Sequence, residues 1–417
     1  MPPPVAVTGL GLVLPSGTGR AAAEAVFRGA SSVAYLPEDI GIPGVTGAAL
    51  ADFEPPPGTE DADRAVQFAA AAAAEAWIEA GLAGAVADRR RIAVVFPLSK
   101  GGVHALADWA AGLGSGRLQC PADPWSLAAP DAAARLIAAR LGAGGPSAVP
   151  VTACASGGHA LVWAARMAAR GCIDAAIVGA ADASLDPLVL GSYLRMGVLA
   201  EARGRPETSV RPFSRTRRGF ALGEGAGALV VESAASAARR GARVLAWLVG
   251  WATGANAWSL VDVEPGGAAM ARLATDAMAR AAVEPSAVDY VNAHGSATVA
   301  NDLAEAEAIR AAFGSAARRL AVSSTKGAHG HLLGAATAVE TVLTVLAIER
   351  GEVPPTANLT DPDPAIGLDC TPVVARRRPI RHAVKIASGF GGQALALVLS
   401  APQAGPRGAR ASGPGEF

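Results

Sequence analysis

The sequence predicts an α/β fold whose sheets are covered on both faces. Three observations carry that expectation. Short β-branched runs alternate with longer Ala-rich stretches of helical character, the pattern of strand–helix units. Several strand candidates are apolar throughout rather than alternating, as strands buried on both faces are. Finally, 51% of the 417 residues are hydrophobic and only 17% are charged, which supplies a sizeable core and is the opposite of a disordered composition.

In chain order, strands are expected at Val5–Thr8, Arg91–Phe96, Val149–Thr152, Ala175–Gly179, Ala228–Glu232, Ala246–Thr253, Tyr290–Ala293, Leu320–Ser323, Val384–Ser388 and Ala394–Leu399. Helices fit Ala65–Ala80, Pro130–Leu141, Ser156–Arg170, Gly267–Ala282, Asp302–Phe313 and Ala335–Arg350. The first helix stops where Gly81 supplies a C-terminal cap signal. Pro- and Gly-rich stretches near 36–60, 112–130, 201–219 and 353–367 read as loops. The strand spacing suggests two halves of similar size, residues 1–240 and 241–400. The remaining stretch, 401–417, has no periodicity and reads as a disordered tail.

Composition excludes several functions. Lys+Arg and Asp+Glu both number 36, so no basic excess marks a nucleic-acid or anionic-membrane surface. Only three of the basic residues are lysine: Lys100, Lys326 and Lys385. The four cysteines, Cys120, Cys154, Cys172 and Cys370, show no CxxC spacing and make no disulfide framework, which points to reduced thiols in the cytoplasm. The N-terminal segment lacks the basic and long apolar regions of a signal peptide. The longest apolar stretch, Ala65 to Ala87, is cut by Glu75 and Glu79 and reads as a helix rather than a membrane span.

Four segments carry chemistry. In VTACASGG, a strand runs into small residues and then an amphipathic helix, which places Cys154 on a strand-to-helix turn. Unpaired N–H groups and the positive end of the helix dipole favour a thiolate there, and small neighbours admit a close substrate. Cys120, Cys172 and Cys370 lack such a setting and read as buried structural residues. In VNAHGS, His294 sits just past a strand end, where active-site loops of α/β proteins lie. In SSTKGAHGHLLGAATAVE, Lys326, His329 and His331 follow another strand, with Glu340 on the next helix. A metal held by His329, His331 and Glu340 is weakly supported, since the histidines lie in a Gly-rich loop without a cysteine partner. In SGFGG, a glycine-rich turn exposes backbone N–H groups able to hold an oxyanion. One nucleophilic cysteine, several imidazoles and an amide-lined turn together suggest acyl transfer from a thioester.

Taken together, TACASG around Cys154, NAHGS at His294, STKGAHGHLLGA with Lys326 and His331, and GFGG at Phe390 resemble the β-ketoacyl-ACP synthase family, the ketosynthases of the thiolase-fold group. The resemblance runs over nearly the whole chain except the tail. It implies a five-layered αβαβα thiolase-like fold of two duplicated halves, the first carrying the nucleophile and the second both histidines. It implies a dimer, either a homodimer or a heterodimer with a chain-length-factor-like subunit, and substrates delivered by an acyl carrier protein with no dissociable cofactor and no metal. The implied reaction is a ping-pong decarboxylative Claisen condensation. Cys154 matches the nucleophile, and His294 and His331 match the catalytic histidines. Lys326 and Glu340 match a supporting pair. The N–H groups of Cys154 and Phe390 match the oxyanion hole, and Phe390 also matches the gating phenylalanine. Ser296, Thr298 and Gly391 match substrate-binding positions.

This chain departs from the family pattern in four places. Ser296 stands for a threonine in HGT, and His329 stands for a threonine two residues before His331. IASGFGGQA, Ile386 to Ala394, lacks both asparagines and the first phenylalanine of NSFGFGGTN. In RPFSRTRRGF, Ser214 and Arg218 stand where aspartates are favoured. These changes lean toward a specialised or polyketide-type enzyme. A chain-length factor would lack Cys154. A degradative thiolase would carry a second cysteine in the last glycine loop, where this chain has Phe390. An initiating synthase would have an asparagine in place of His331. A simple acyltransferase using the same cysteine remains an alternative.

Overall fold

The structure is a computed structural model that describes residues 3–40, 42–86, 88–116, 128–202 and 204–404. Among the described residues the main sheet has eleven strands, the short Gly17–Thr18 and ten along one path: β1 (Val5–Leu14), β2 (Ile92–Val95), β3 (Ser147–Ala148), β4 (Ala175–Asp182), β5 (Gly225–Ser233), β6 (Ala246–Ala255), β7 (Tyr290–Asn292), β8 (Ala321–Ser323), β9 (His382–Ser388) and β10 (Gln393–Ser400). Six principal helices connect them: α1 (Arg64–Ala80), α2 (Ala132–Leu141), α3 (Ser156–Ala169), α4 (Ala268–Ala281), α5 (Val299–Phe313) and α6 (Ala336–Arg350).

The spatial order is β3-β2-β4-β5-β1-β6-β10-β9-β7-β8, with the short strand Gly17–Thr18 also paired to β1. This order reads as a duplication. Each half runs strand, helix, strand, helix, strand, helix, strand, strand. In each, the first strand pairs antiparallel with the fifth and the fifth antiparallel with the fourth. The fourth pairs parallel with the second and the second parallel with the third. The arrays meet first strand to first strand, with Val5 opposite Leu248 and Val7 opposite Ala246.

Helix placement makes five layers. α1 and α2 pack on each other, and α1 covers β1, β4 and β5. α4 and α5 pack on each other, and α4 covers β6 and β10. α3 and α6 touch each other and strands of both arrays, which makes them the central layer. The helix that follows Cys154 and the helix bearing Glu340 are therefore neighbours at the centre of the molecule. Glycines set the spacing. A Cβ on Gly157 of α3 would lie 2.7 Å from the Ala338 Cβ and 2.8 Å from its backbone nitrogen in α6. Gly157→Ala is expected to force these helices apart, at a cost of about 1–3 kcal/mol typical of overpacking, read as a lowered Tm.

Several elements differ from expectation. β1 continues past Thr8 to Leu14, because Gly9 and Gly11 admit α1: a Cβ at either would lie 2.1 or 1.8 Å from the carbonyl oxygens of Ala76 and Ala72. Val149–Thr152 is not a strand, and only Ser147–Ala148 pairs with β2. Pro150 has no N–H for a ladder, and the Thr152 N–H donates to Ser156 Oγ at 2.9 Å. Among the described residues five further helices occur: Gly19–Phe27, Val103–Gly114, Pro187–Arg195, Ala234–Arg239 and the four-residue Lys326–His329. The third had a readable start, since the Asp186 side chain accepts from the Leu188 N–H and Pro187 follows the cap. Of the expected disordered tail, Ala401–Ala404 are placed, with the Ala401 N–H on the Arg381 carbonyl at 2.9 Å. Residues 405–417 lie outside the described residues, as does Cys120. Cys370 is buried, whereas Cys172 is exposed rather than buried as expected. Among the described residues, no helix is long and apolar enough to cross a membrane.

Candidate active site

Cys154 lies on a short turn, Ala153–Ala155, immediately before α3. The turn is tight enough that Ala153 takes a left-handed φ of 49°. The Ser156 hydroxyl donates to the Ala153 carbonyl at 2.7 Å, and the Thr337 hydroxyl of α6 donates to the Cys154 carbonyl at 2.8 Å. The small residues after Cys154 serve packing: Gly157 and Gly158 face α6 and β10, not the cavity. The thiol is buried among Val45, Leu185, Val189, Phe220 and Leu333. Burial pushes its pKa up to about 11, and Lys100 and Lys326 offset this only in part. The expected thiolate is therefore not the resting form. Burial outweighs the two lysines, and the sulfur holds its proton at neutral pH.

His294 follows β7 and His331 follows β8 and the short helix Lys326–His329. Both are buried, and their ring centroids are 5.4 Å apart. Both pKa values sit well below the ordinary histidine value, first through burial and then through Lys326; His331, His329 and the other lysines add to the effect. Both rings are thus neutral across the physiological range. The Leu333 N–H donates to His331 Nδ1 at 3.1 Å, so the neutral ring carries its proton on Nε2. His294 Nδ1 is buried without a partner.

One cavity of about 210 Å³ brings these groups together. Cys154, His294, His331, Phe390, Ser296 and Thr298 all line it. Phe390 stacks on Tyr193 with centroids 6.1 Å apart, and Phe220 packs edge-on against both Tyr193 and His331. The Ser296 and Thr298 hydroxyls are 2.9 Å apart. Gly391 does not line the cavity, because its N–H is used by the Leu260 carbonyl at 2.7 Å. Gly389 approaches the Cys154 backbone so closely that a Cβ there would lie 3.0 Å from Cys154 N. Neither the Cys154 nor the Phe390 N–H has a tertiary acceptor among the described residues.

Behind the cavity lies a buried charge cluster. Lys326 Nζ donates to the His294 carbonyl and to Glu340 Oε1. Glu340 is buried, which raises its pKa, but Lys326 and Lys385 together hold it below the ordinary carboxylate value. Glu305 of α5 accepts from the N–H groups of His294 and Gly295 at 2.6 and 2.7 Å. Asp302 accepts from Phe213 N–H and Ala297 N–H at 2.8 and 3.1 Å, and Arg217 is 3.6 Å away. His329 stays out of the cavity: its Nδ1 lies 2.8 Å from the Gly330 carbonyl and its Nε2 2.9 Å from Thr325 Oγ1. The extra imidazole thus braces its own loop, and Glu340 is occupied by lysines. Sequence reasoning missed Glu305, Asp302 and Lys385. The one available signal was the scarcity of lysine, since all three lysines contact a buried carboxylate near the site, Lys100 with Asp182 at 2.8 Å.

These features are those of a sequence family. Residues 49–237 match the profile described as the N-terminal domain of beta-ketoacyl synthase, and residues 245–360 match the C-terminal domain. The chain belongs to the β-ketoacyl synthase family. An oxytetracycline polyketide beta-ketoacyl synthase 1 of Streptomyces rimosus is 40% identical over 82% of this chain and 81% of its own. A 3-oxoacyl-[acyl-carrier-protein] synthase 2 of Coxiella burnetii is 35% identical over 95% of this chain and 98% of its own. The ketosynthase solved with its type II polyketide acyl-carrier protein superimposes with a TM-score of 0.89 at 32% identity, covering 96% of this chain and all of that one. The fold is therefore the thiolase-like fold of ketosynthases, and the chain is an acyltransferase of the condensing type.

The neutral imidazoles set a pH expectation. Because burial lowers both pKa values, the histidines stay neutral as pH falls from 8 through the ordinary histidine value of 6.5. A step that needs neutral rings should stay flat across that interval. A malonyl-thioester decarboxylation profile that loses activity between pH 7 and 6.5 would contradict this.

Proposed function

We propose that the protein is an elongating β-ketoacyl-[acyl-carrier-protein] synthase acting in polyketide or fatty acid biosynthesis. The observation that carries this reading is one cavity lined by Cys154, His294 and His331, with the His331 proton on Nε2. In the first half-reaction, Cys154 Sγ attacks an acyl thioester on the phosphopantetheine arm of an acyl carrier protein. The carrier leaves as its thiol, taking the cysteine proton. In the second, a malonyl thioester loses CO2, and the electrons of the broken C–C bond form an enolate. His294 and His331 donate hydrogen bonds to the enolate oxygen. The enolate carbon attacks the acyl-cysteine carbonyl, whose oxyanion is held by the Cys154 and Phe390 N–H groups. Collapse expels the Cys154 thiolate, which is reprotonated. Lys326 and Glu340 order the histidine loop, Phe390 gates the thiol, and Ser296 and Thr298 contact the arm. The first half, residues 1–240, carries the nucleophile and the second, 241–400, both histidines. No dissociable cofactor takes part, and the protein acts in the cytoplasm.

A second reading is a ketosynthase subunit that needs a chain-length-factor-like partner, and one helix calls for a dimer partner of either kind. Val103–Gly114 has no buried residue although it carries Leu106 and Leu113, 47% and 63% exposed. Val103 at its start packs against the nucleophile's own apolar cluster. A dimer partner, identical or not, would cover it. Intact-protein mass after incubation with acyl-carrier thioesters of graded length, with and without malonyl carrier, tests both. An adduct on Cys154 discharged as a longer β-ketoacyl product supports the first reading. An adduct formed only after a partner subunit is added supports the second. An adduct that malonyl carrier never discharges would leave a simple acyltransferase.

A further inference from the structure

We propose that Lys385 is a second positioning lysine for the condensing step, holding the backbone that presents His294 and supplying a buried positive charge behind both imidazoles. The inference rests on the ketosynthase reading above. Lys385 lies on β9, opposite Asn292 of β7 in the parallel register, and is wholly buried. Its Nζ is 2.6 Å from Glu340 Oε2, 3.1 Å from the Ala293 carbonyl and 3.5 Å from the Asn292 carbonyl. Lys326 takes the next carbonyl, that of His294, and the other oxygen of Glu340. Two ammonium groups thus grip three successive carbonyls, those of 292, 293 and 294, while Glu305 grips the two amides of 294 and 295. The histidine's backbone is held from both sides by buried ionisable groups, and Glu340 is shared between two lysines instead of serving one.

Such a cluster does two things. It removes freedom from the ring that must meet an oxygen within hydrogen-bond distance, where an error of about 1 Å costs on the order of a hundredfold. It also places an additional cation where the reaction gathers negative charge and where imidazoles must stay neutral. The groups facing Lys385 are Glu340 from α6, Lys326 from the short helix after β8, and Glu305 from α5. His294, His329 and His331 all lie within its field. Burial lowers the Lys385 pKa to about 8, with Glu340 opposing, so its charge is lost as pH rises through that region. Burial likewise raises Glu305 to about 7, and Lys385 pulls it back.

The test compares wild type with Lys385→Met, which keeps the length and removes the charge. Glu340 keeps Lys326 as its partner in the variant, so no buried carboxylate is orphaned. Acyl loading of Cys154 is followed by mass, and decarboxylation of malonyl carrier is followed by CO2 release against pH. The expected result is loading at the wild-type rate, kcat for decarboxylation lower by roughly tenfold to a hundredfold, and KM unchanged. The acid limb of that profile moves to higher pH, since removing a cation raises the imidazole pKa values. Lys385→Arg, which restores the charge, should recover part of kcat. Equal decarboxylation and an unmoved profile in Lys385→Met overturn the inference, as does a parallel loss of loading and decarboxylation. If Lys385→Met does not fold, wild type decides alone: its decarboxylation must fall above about pH 8 while loading continues to rise, and a shared profile overturns the inference. A wild type that neither loads nor decarboxylates overturns the ketosynthase reading instead.

Discussion

Cys154→Ala abolishes acyl loading and leaves the fold standing. The substitution removes one buried sulfur that makes no hydrogen bond, from a cluster whose remaining members, among them Leu185, Phe220 and Leu333, stay in place. The cost in stability is on the order of 1 kcal/mol, the ordinary effect of a small core deletion. The contacts that shape the turn are made by backbone and neighbours: Thr337 to the Cys154 carbonyl, Ser156 to the Ala153 carbonyl. No other described thiol lines the cavity, since Cys370 is packed in the outer core of the second half and Cys172 is on the surface. Intact-protein mass should therefore show no adduct with any acyl carrier, and condensation should fall to the uncatalysed background. Malonyl decarboxylation should persist, because the imidazoles and their charge cluster are untouched. An adduct in the variant would mean that another residue is the nucleophile. In wild type, the loading rate should climb with pH from neutral toward the thiol pKa of about 11, because only the deprotonated sulfur attacks. A loading rate flat from pH 7 to 9 would show that the sulfur is already ionised.

How much of this was legible in the sequence follows from what each feature depends on. The strand–helix alternation depends on local periodicity, and the six principal helices begin and end within three residues of their expected bounds. The placement of Cys154 on a turn before a helix is likewise local. What failed was tertiary. The strand expected to end at Thr8 runs on through Gly9 and Gly11, where the carbonyls of Ala76 and Ala72 approach too closely for any side chain. Gly157 and Gly158 read as room for a substrate, yet they are filled by α6 and β10. The thiol pKa was misjudged because the helix terminus is visible in sequence and the depth of burial is not. Lys385, Glu305 and Lys326 come from β9, α5 and the loop after β8, and nothing in their spacing tells that they converge on the carbonyls and amides around His294.

The second large effect belongs to His331. In His331→Ala, Cys154 should still load, and condensation should fall by roughly a hundredfold to a thousandfold, the usual cost of one lost donor to a developing oxyanion. The side chain does two things, however. Its Nδ1 accepts from the Leu333 N–H, which steadies the turn into α6, and its Nε2–H is the donor that can face an enolate. Alanine removes both, so it cannot tell a chemical role from a structural one. His331→Asn is the sharper probe, because its side-chain oxygen can take the place of Nδ1 while its amide N–H ends short of where Nε2 stands. If the reach of the Nε2–H donor matters, the two variants condense equally poorly and load equally well. If asparagine restores condensation, the imidazole's reach is not required, and the hydrogen bond to Leu333 or the shorter amide donor suffices. The pH profile gives an independent readout. With His331 removed, His294 loses a neighbour that lowers its pKa, so the acid limb of the residual activity should move upward, toward but not beyond the ordinary histidine value of 6.5. Burial and Lys326 still act on the remaining ring, which is why that shift is bounded.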